Sequence, residues 1–555
     1  MRERFINLFY PFNQQQPGLS IHKHIRKSAY IILFSLILLM LAGCAKEPEV
    51  KYPNAITIAF GADAKRLLPM LASDSASGQI SGYIFNGLTK YDKNIRTIGD
   101  LAESWDIRDN GLTIIFHLRK GVKWHDGEEF TSADVLFTYQ TLINPKVPTP
   151  YSSNYGPVKD VETPNKYTVR VTYKEPYAPA LESWGMGIIP KHIFEGKDLA
   201  SDAVSRNPIG TGPYRLKEWV TGQKIVLDAF DNYFEGRPKI DRIIARIIPD
   251  PATTFLELKF GGIDFSSVTP AQYKLQVDRS DFFNKYFQKF RYPSFGYTYL
   301  GFNLLHPLFA DKTVRRAIGH AINKKEIIAG VLLGYGAPCT GPFPPESWAY
   351  NSDVADIDFN PARASEILSS IGWVKNQHGL LEKGGRTFSF TVITNQGNEA
   401  RLKAAQIMKE QLRRVGIEMK IKVLEWQAML HEFIHKKRFE AVLMGWGLSR
   451  DPDLFDIWHS SKTKEGEFNF ISYNNAEVDR LLIAGRQTFD IGKRKQIYRR
   501  IHQILSEEQP TIFLYVPDAL TLIHKRFRGI EKAPLGITYD FIRWYVPKDS
   551  GEWYR

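Results

Sequence analysis

The stretch Phe439–Ser461 carries the residues best suited to hold a ligand. A short apolar run opens it and predicts one buried strand, which leads directly into Gly445 and Trp446. Glycine lets another backbone come close, and an indole offers a broad face with one N–H donor. Asp451 and Asp453 follow in a turn, so acid, indole and accessible backbone meet at one strand end. The same pattern also fits a strand followed by an ordinary surface turn.

A second candidate site is the HExxH pattern formed by His431, Glu432 and His435. On a helix this spacing puts both imidazoles on one face, as zinc requires, with the glutamate as base. No glycine-rich turn with a third histidine follows, and the apolar residues of the same helix need the side that faces the sheet. We therefore expect both histidines to face water and the chain not to be an enzyme. An extracytoplasmic zinc hydrolase is the remote alternative.

Two other motifs are predicted to be structural. His125 and Asp126 stand in a Trp-His-Asp-Gly turn, but the chain has no Gly-x-Ser-x-Gly nucleophile elbow for such a pair to activate. The glycine-rich segment 210–213 lacks the lysine and the following helix of a phosphate-binding loop. Neither motif predicts catalysis, and we expect no cofactor and no metal.

The elements around the first stretch predict how it is positioned. Alternating apolar residues predict a strand at 388–392, Asn398 can cap a helix that ends at Gly416, and a further strand and helix lead back to the first stretch. Strand–helix–strand–helix–strand is a doubly wound α/β unit with parallel strands. Ligands of such units bind beyond the carboxyl ends of the strands, which places the site at residues 394–398 and 445–453.

The length and charge of the chain limit the classes of protein to consider. Its 555 residues are too many for one compact core, so two or three domains are expected. The net charge of +13 is compatible with an anionic surface as partner. No basic run is longer than a few residues, so we expect no nucleic-acid partner.

Residues 1–43 predict a secretory signal peptide. A basic segment precedes the apolar run 28–41, which is too short to span a bilayer comfortably. The Leu-Ala-Gly-Cys ending at Cys44 resembles a bacterial lipobox and implies lipid attachment to its sulfur; a lone transmembrane helix is the alternative. Residues 44–54 then form a polar tether. Cys339 is left with no partner for an intrachain disulfide.

Six ordered blocks of the chain resemble the peptide/nickel class of solute-binding proteins that serve ABC importers. The blocks are residues 101–139, 207–241, 299–328, 334–345, 395–425 and 445–461. Together they cover nearly all of residues 55–545. Six blocks in the same order are far more specific than any single motif.

This resemblance implies an α/β fold of the periplasmic-binding-protein type, with two main lobes, a hinge and a third, smaller lobe. Lobe I would be discontinuous, and the predicted boundaries are 55–90, 205–290 and 519–555 for lobe I, 91–204 for lobe II, and 291–518 for lobe III. Crossovers between lobes imply a hinge, so the ligand would be enclosed by closure.

The resemblance also implies a set of ligand-binding residues on two loops. The predicted residues of this set are Asn395, Gln396, Gly397, Gly445 and Trp446. In dipeptide and oligopeptide binders of the family, an aspartate soon after the tryptophan pairs with the ammonium group of the ligand.

That aspartate is absent at the expected spacing, where Ser449 or Arg450 stands instead. Asp451 or Asp453 could replace it only if the loop bends inward. Arg450 would suit an anionic group of the ligand. Ser449, Asp451 and Asp453 are therefore included in the predicted site.

The function implied by the resemblance is capture of short peptides outside the cytoplasm. The protein would be a monomeric lipoprotein, held to a membrane by the lipid on Cys44, that delivers its ligand to the permease subunits of an ABC importer. The ligand would pair through its backbone and be enclosed by hinge closure, and no bond would be broken. A binder of nickel chelates or oligosaccharides would share the fold and stays open as an alternative.

Overall fold

The computed structural model describes residues 54–199, 206–534 and 536–548. The predicted signal peptide, the predicted lipid-attachment site Cys44 and all of the predicted tether except Asn54 lie outside these ranges. Within the described ranges, no helix has both the length and the apolar character needed to cross a bilayer.

Strands and helices alternate through most of the described chain, as expected for an α/β protein. The strands are β1 (Ala55–Phe60), β2 (Thr89–Tyr91), β3 (Thr97–Gly99), β4 (Ala102–Arg108), β5 (Thr113–Leu118), β6 (Val158–Asn165), β7 (Thr168–Tyr173), β8 (Tyr214–Val220), β9 (Lys224–Ala229), β10 (Arg242–Ile247), β11 (Phe265–Ser267), β12 (Phe287–Pro293), β13 (Gly296–Phe302), β14 (Gly336–Pro338), β15 (Val374–Lys375), β16 (Leu381–Lys383), β17 (Arg386–Thr387), β18 (Ser389–Asn395), β19 (Glu418–Leu424), β20 (Ala441–Gly447) and β21 (Thr511–His524). The α-helices are α1 (Ser75–Ile84), α2 (Ser132–Ile143), α3 (Ala180–Ser183), α4 (Lys191–Phe194), α5 (Pro251–Lys259), α6 (Pro270–Gln272), α7 (Asp281–Tyr286), α8 (Lys312–Ala321), α9 (Lys324–Leu332), α10 (Pro361–Ser370), α11 (Glu399–Arg414), α12 (Trp426–Ala428), α13 (Phe455–Trp458), α14 (Ala476–Gln487) and α15 (Ile491–Glu508).

The predicted doubly wound unit is present and forms one end of a twelve-stranded sheet. Strand β18 pairs in parallel with both β19 and β20. Helix α11 begins after Asn398, whose side chain accepts the N–H of Arg401, and the chain turns at Gly416 with φ of 90°. The order along the sheet is β19-β18-β20-β13-β21-β11-β1-β10-β9-β8, and β12 and β14 also pair with β21. The prediction of parallel strands at this site is confirmed.

Strand β20 is buried on both faces, which explains its uninterrupted apolar run. Ala441 and Leu443 pack into one hydrophobic core, and Val442 and Met444 pack into the core on the opposite face. A strand covered on both sides by helices and loops needs apolar residues at every position rather than at alternate ones. The buried Cys339 belongs to the second of these cores, where burial raises the pKa of its thiol to about 12.

Strand β21 is continuous across a boundary that the sequence predicts between two lobes. Its first half pairs with β13 and its second half with β11 and β12. The predicted boundary at 518/519 therefore lies inside β21, and the boundary at 290/291 lies inside β12. Sequence periodicity cannot mark such a point, because a buried strand has the same pattern whichever core it enters. The division into three lobes stays a prediction.

A separate four-stranded antiparallel sheet lies between residues 102 and 173, in the order β4-β5-β7-β6. Its first hairpin turns at residues 109–111, where Asn110 has a φ of 54°. Helix α2 follows with a capping box between Thr131 and Asp134. Both features depend on local sequence, because turn and cap chemistry act within a few residues.

Candidate functional site

Trp446 lies near the end of β20, in an aromatic cluster beside the loop 448–454. Its ring stacks on Tyr299, with centroids 6.4 Å apart and planes 7° from parallel, and on Phe470 at 6.1 Å. The exposed Phe468 contacts its edge at 5.7 Å. The indole is half-buried, so one part of it is held by packing and another part stays accessible.

A cavity of about 270 Å³ opens beside this indole. Aromatic and aliphatic side chains form most of its wall together with the loop after β20, and the lining includes Phe295, Phe343, Trp446, Leu448 and Phe468. Three carboxylates, from Asp451, Asp453 and Asp456, line the same space. Such a pocket can take an apolar group of limited size.

A much larger cavity, of about 1680 Å³, lies next to it. Residues from all three predicted lobes line it. Helix α1 contributes Gly78 and Gly82, and the chain around β2 contributes Lys90 and Tyr91. Other lining residues include Glu182, Tyr233, Ser449, Asp453, Asp456, Arg486 and Tyr539. Ser449, Asp453 and Asp456 line both cavities. Pockets for drug-sized ligands have volumes of roughly 300–1,000 Å³, so this cavity suits a larger solute.

The carboxylate of Asp451 is held by Arg494 of α15. Arg494 Nη1 donates to one carboxylate oxygen at 2.6 Å and Nη2 to the other at 2.7 Å. The side chains are only 3% and 11% exposed, so the ion pair is buried. Its geometry is the bidentate one in which arginine holds carboxylates most tightly. Asp451 lines the smaller cavity but not the larger one.

Asp453 is held in the same way by Arg486 at the end of α14. The guanidinium donates through Nε at 2.8 Å, and Nη2 lies 2.7 Å from the same oxygen. Burial raises the pKa of Asp453, and the positive charge of Arg486 partly offsets this effect. Both aspartates that the sequence offers as partners for a ligand ammonium already have a cationic partner. Their role in ligand binding stays a prediction.

Glu182 is a wall residue of the large cavity that sequence reasoning missed. Its carboxylate accepts the backbone N–H of Arg450 at 3.3 Å and that of Asp451 at 3.0 Å. Burial raises the pKa of Glu182, and the negative charge of Asp451 raises it further. The hydroxyl of Tyr91 lies beside the same carboxylate. No local motif marks this residue, because the two N–H groups that it accepts are more than 260 positions away along the chain.

The predicted loop residues Asn395, Gln396 and Gly397 line neither of these two cavities. Asn395 Oδ1 instead accepts from Arg401 Nη1 at 2.7 Å, and the N–H of Gln396 donates to the carbonyl of Leu424. Gly445 pairs with Thr298 in the sheet, beside Trp446. The structure therefore brings Trp446, Ser449, Asp451 and Asp453 together and leaves the 395–397 loop apart.

The HExxH segment lies on a short π-helical turn, Met429–Ile434, rather than on a regular α-helix. The rings of His431 and His435 are 5.2 Å apart, and Glu432 Oε2 accepts from Lys436 Nζ at 2.8 Å. His431 is exposed. Among the described residues, no group of three or more possible metal ligands comes together.

His125 connects two segments instead of activating a nucleophile. Its Nε2 lies 3.0 Å from the carbonyl oxygen of Gly212, and its Nδ1 accepts the N–H of Gly210 at 3.3 Å. Burial lowers the pKa of His125 to about 4, so the ring is neutral at physiological pH. The two glycines also pack against the carbonyl of Ile84 at the end of α1, where no side chain would fit. The turn is thus structural, as its sequence predicts.

The fold and the large cavity define a protein that binds a solute. Residues 96–467 match the bacterial extracellular solute-binding proteins, family 5 Middle. The oligopeptide-binding protein AppA of Bacillus subtilis (strain 168) is 35% identical over 548 residues, which cover 94% of this chain and 99% of AppA. The chain therefore belongs to the family 5 solute-binding proteins.

Solved structures of two relatives have the same fold. The structure of AppA from Bacillus subtilis in complex with a nonapeptide matches with a TM-score of 0.76 and 34% identity, over 89% of this chain and 99% of that one. NikZ from Campylobacter jejuni in complex with Ni(L-His) matches with a TM-score of 0.77 and 29% identity, over 89% of this chain and 100% of that one. The prediction of a periplasmic-binding-protein-like α/β fold is confirmed.

Proposed function

We propose that this protein is the extracytoplasmic solute-binding component of an ABC importer and that it captures short peptides in the 1680 Å³ cavity. The size of this cavity is the observation that carries the proposal, because it exceeds what a single small molecule fills. Similarity to an oligopeptide-binding protein, and to its structure with a nonapeptide, supports the same class of ligand.

Contacts across one side of the cavity support a mechanism in which the protein closes around its ligand. Glu182 accepts two N–H groups from the loop after β20, Gln487 Nε2 donates to Glu175 at 2.9 Å, and the N–H of Ala178 donates to the carbonyl of Arg486. These contacts join the predicted second and third lobes. A peptide would enter while they are open, pair through its backbone and be enclosed when they form.

A nickel chelate is the second candidate ligand. The similarity to NikZ, whose structure holds Ni(L-His), favours this ligand. The NikZ structure matches 89% of this chain, the same share as the AppA structure. The volume of the cavity favours the peptide, because a metal bound to one amino acid fills only a small part of such a space. Oligosaccharides stay a prediction of the family resemblance.

A blocking variant tests the location of the site. Gly82 lines the large cavity in the last turn of α1, and a Cβ added there meets nothing within 4 Å. Gly82→Phe should therefore fold and place its ring in the cavity, where it obstructs a bound peptide. Gly61→Phe is the matched control, because Gly61 has equally free space but does not line the cavity.

The readout is the free energy of unfolding with and without a nonapeptide pool. Peptide at about a hundred times its dissociation constant should add about 2.7 kcal/mol to the wild type and to Gly61→Phe, but little to Gly82→Phe. Native mass spectrometry of the protein as purified identifies any peptide that it carries. If peptide pools leave stability unchanged while a nickel–histidine chelate or a sugar raises it, peptides are not the ligand.

We further propose that the mature protein is tethered to a membrane by a lipid on Cys44, with the polar segment 44–54 as spacer. The Leu-Ala-Gly-Cys sequence supports the attachment, and an extracellular family supports the compartment. Such an anchor would keep the binding protein close to the permease subunits that receive its ligand.

A further inference from the structure

Glu182 is a half-buried carboxylate on the wall of the large cavity whose hydrogen-bond partners are all neutral. Two backbone N–H groups and the hydroxyl of Tyr91 surround it, and it forms no ion pair with any residue in the described part of the chain. Arg450, whose N–H it accepts, places its own guanidinium over the ring of Phe295 at 4.2 Å. A charge that is partly removed from water and has no ion-pair partner is unfavourable and is a sign of a functional site.

The basic groups on the same wall already have partners of their own. The lining has eight acidic and six basic residues, so it has an excess of negative charge. Five of the six basic residues form ion pairs, namely Lys90, Lys93, Arg237, Arg486 and Arg543. The sixth, Lys239, lies over the ring of Tyr545 at 5.2 Å. None of these six basic residues forms an ion pair with Glu182. The nearby guanidinium of Arg450 interacts with Glu182 through its charge but forms no ion pair with it.

We infer that Glu182 binds a cationic group of the captured solute, either the N-terminal ammonium of a peptide or the side chain of a lysine or arginine. A carboxylate has about four acceptor positions, so the two backbone N–H groups leave room for a further donor. A charge-assisted hydrogen bond at this place would compensate the burial of the carboxylate. The same contact would couple binding to enclosure, because Glu182 also holds the loop at Arg450 and Asp451.

This inference rests on the proposed peptide function, and three nonapeptide pools test it. The first pool has free N-termini and no Lys, Arg or His; the second is N-acetylated and contains one Lys; the third is N-acetylated and has no basic residue. Affinity is measured for the wild type, Glu182→Gln and Glu175→Gln. Glu175 is the matched control, because it also makes a contact across the same side of the cavity but does not line it.

The wild type should bind the first or the second pool at least about tenfold more tightly than the third. Glu182→Gln should remove that preference, while Glu175→Gln should keep it. Loss for the first pool identifies an N-terminal ammonium as the group, and loss for the second identifies a side chain. Equal affinity of the wild type for all three pools overturns the inference whatever the variants do. If Glu182→Gln weakens the binding of all three pools equally, Glu182 acts only in closing the cavity, and the inference is overturned as well. If no pool binds the wild type, the peptide function itself is wrong.

Discussion

Breaking the Arg494–Asp451 ion pair is the most direct test of how the loop after β20 is held. We expect Arg494→Met, which keeps the length of the side chain and removes its charge, to leave the Asp451 carboxylate buried and unpaired. That carboxylate would then face Glu182, whose pKa its charge already raises. Two acids without cationic partners would then lie next to each other, so the loop should detach or the fold should weaken.

The magnitude follows from the geometry of the pair. With side chains 3% and 11% exposed and two hydrogen bonds of 2.6 and 2.7 Å, removal of one partner should cost about 3–5 kcal/mol. Arg363→Met is the control, because its pair with Glu366 is 58% and 66% exposed and should be worth less than about 1 kcal/mol.

Unfolding in urea measures both variants, together with Asp451→Asn and the double variant Asp451→Asn/Arg494→Met. The double variant should lose less stability than the sum of the two single losses, because it leaves no unpaired charge. We expect a coupling free energy of about 0.5–3 kcal/mol between the two substitutions. A loss for Arg494→Met as small as that for Arg363→Met would refute the reasoning. Strict additivity in the double variant would refute it as well.

Three further predictions concern other parts of the chain. Trp446→Ala should weaken peptide binding by about 30-fold or more in calorimetry, since a buried aromatic contact is worth about 2 kcal/mol. The control variant Trp426→Ala, at a residue that lines neither cavity, should bind like the wild type. Equal affinities of the two variants would exclude the aromatic pocket from binding. Burial lowers the pKa of His502 from 6.5 to about 4, so its stabilisation is present above about pH 6.5 and is lost as pH falls towards 4. Acidification from about pH 7 to 4 should thus cost the wild type about 3 kcal/mol more than His502→Gln, and parallel stability curves would contradict this. Cys44→Ala should abolish incorporation of labelled palmitate, and continued labelling would disprove lipidation at that sulfur.

Local chemistry made a large part of the fold predictable. The cap at Asn398 and the uninterrupted apolar run of β20 each depend on residues within one helix turn or one strand, and the structure confirms them. The family resemblance depends on six such blocks in order, and it predicted the α/β fold of the relatives. The aromatic and acidic composition of 445–453 also pointed to a loop that lines a cavity.

The partners of those acidic residues were decided only by the tertiary structure. Arg494 is 43 residues from Asp451, and Glu182 is 269 residues from it, so neither contact leaves a periodic or spaced signal in the sequence. The sequence therefore determined where a polar loop follows a buried strand. Packing of α15 and of the segment around Glu182 decided that arginine neutralises Asp451 and that Glu182 lines the cavity without an ion pair. Charge compensation depends on distance in space rather than along the chain.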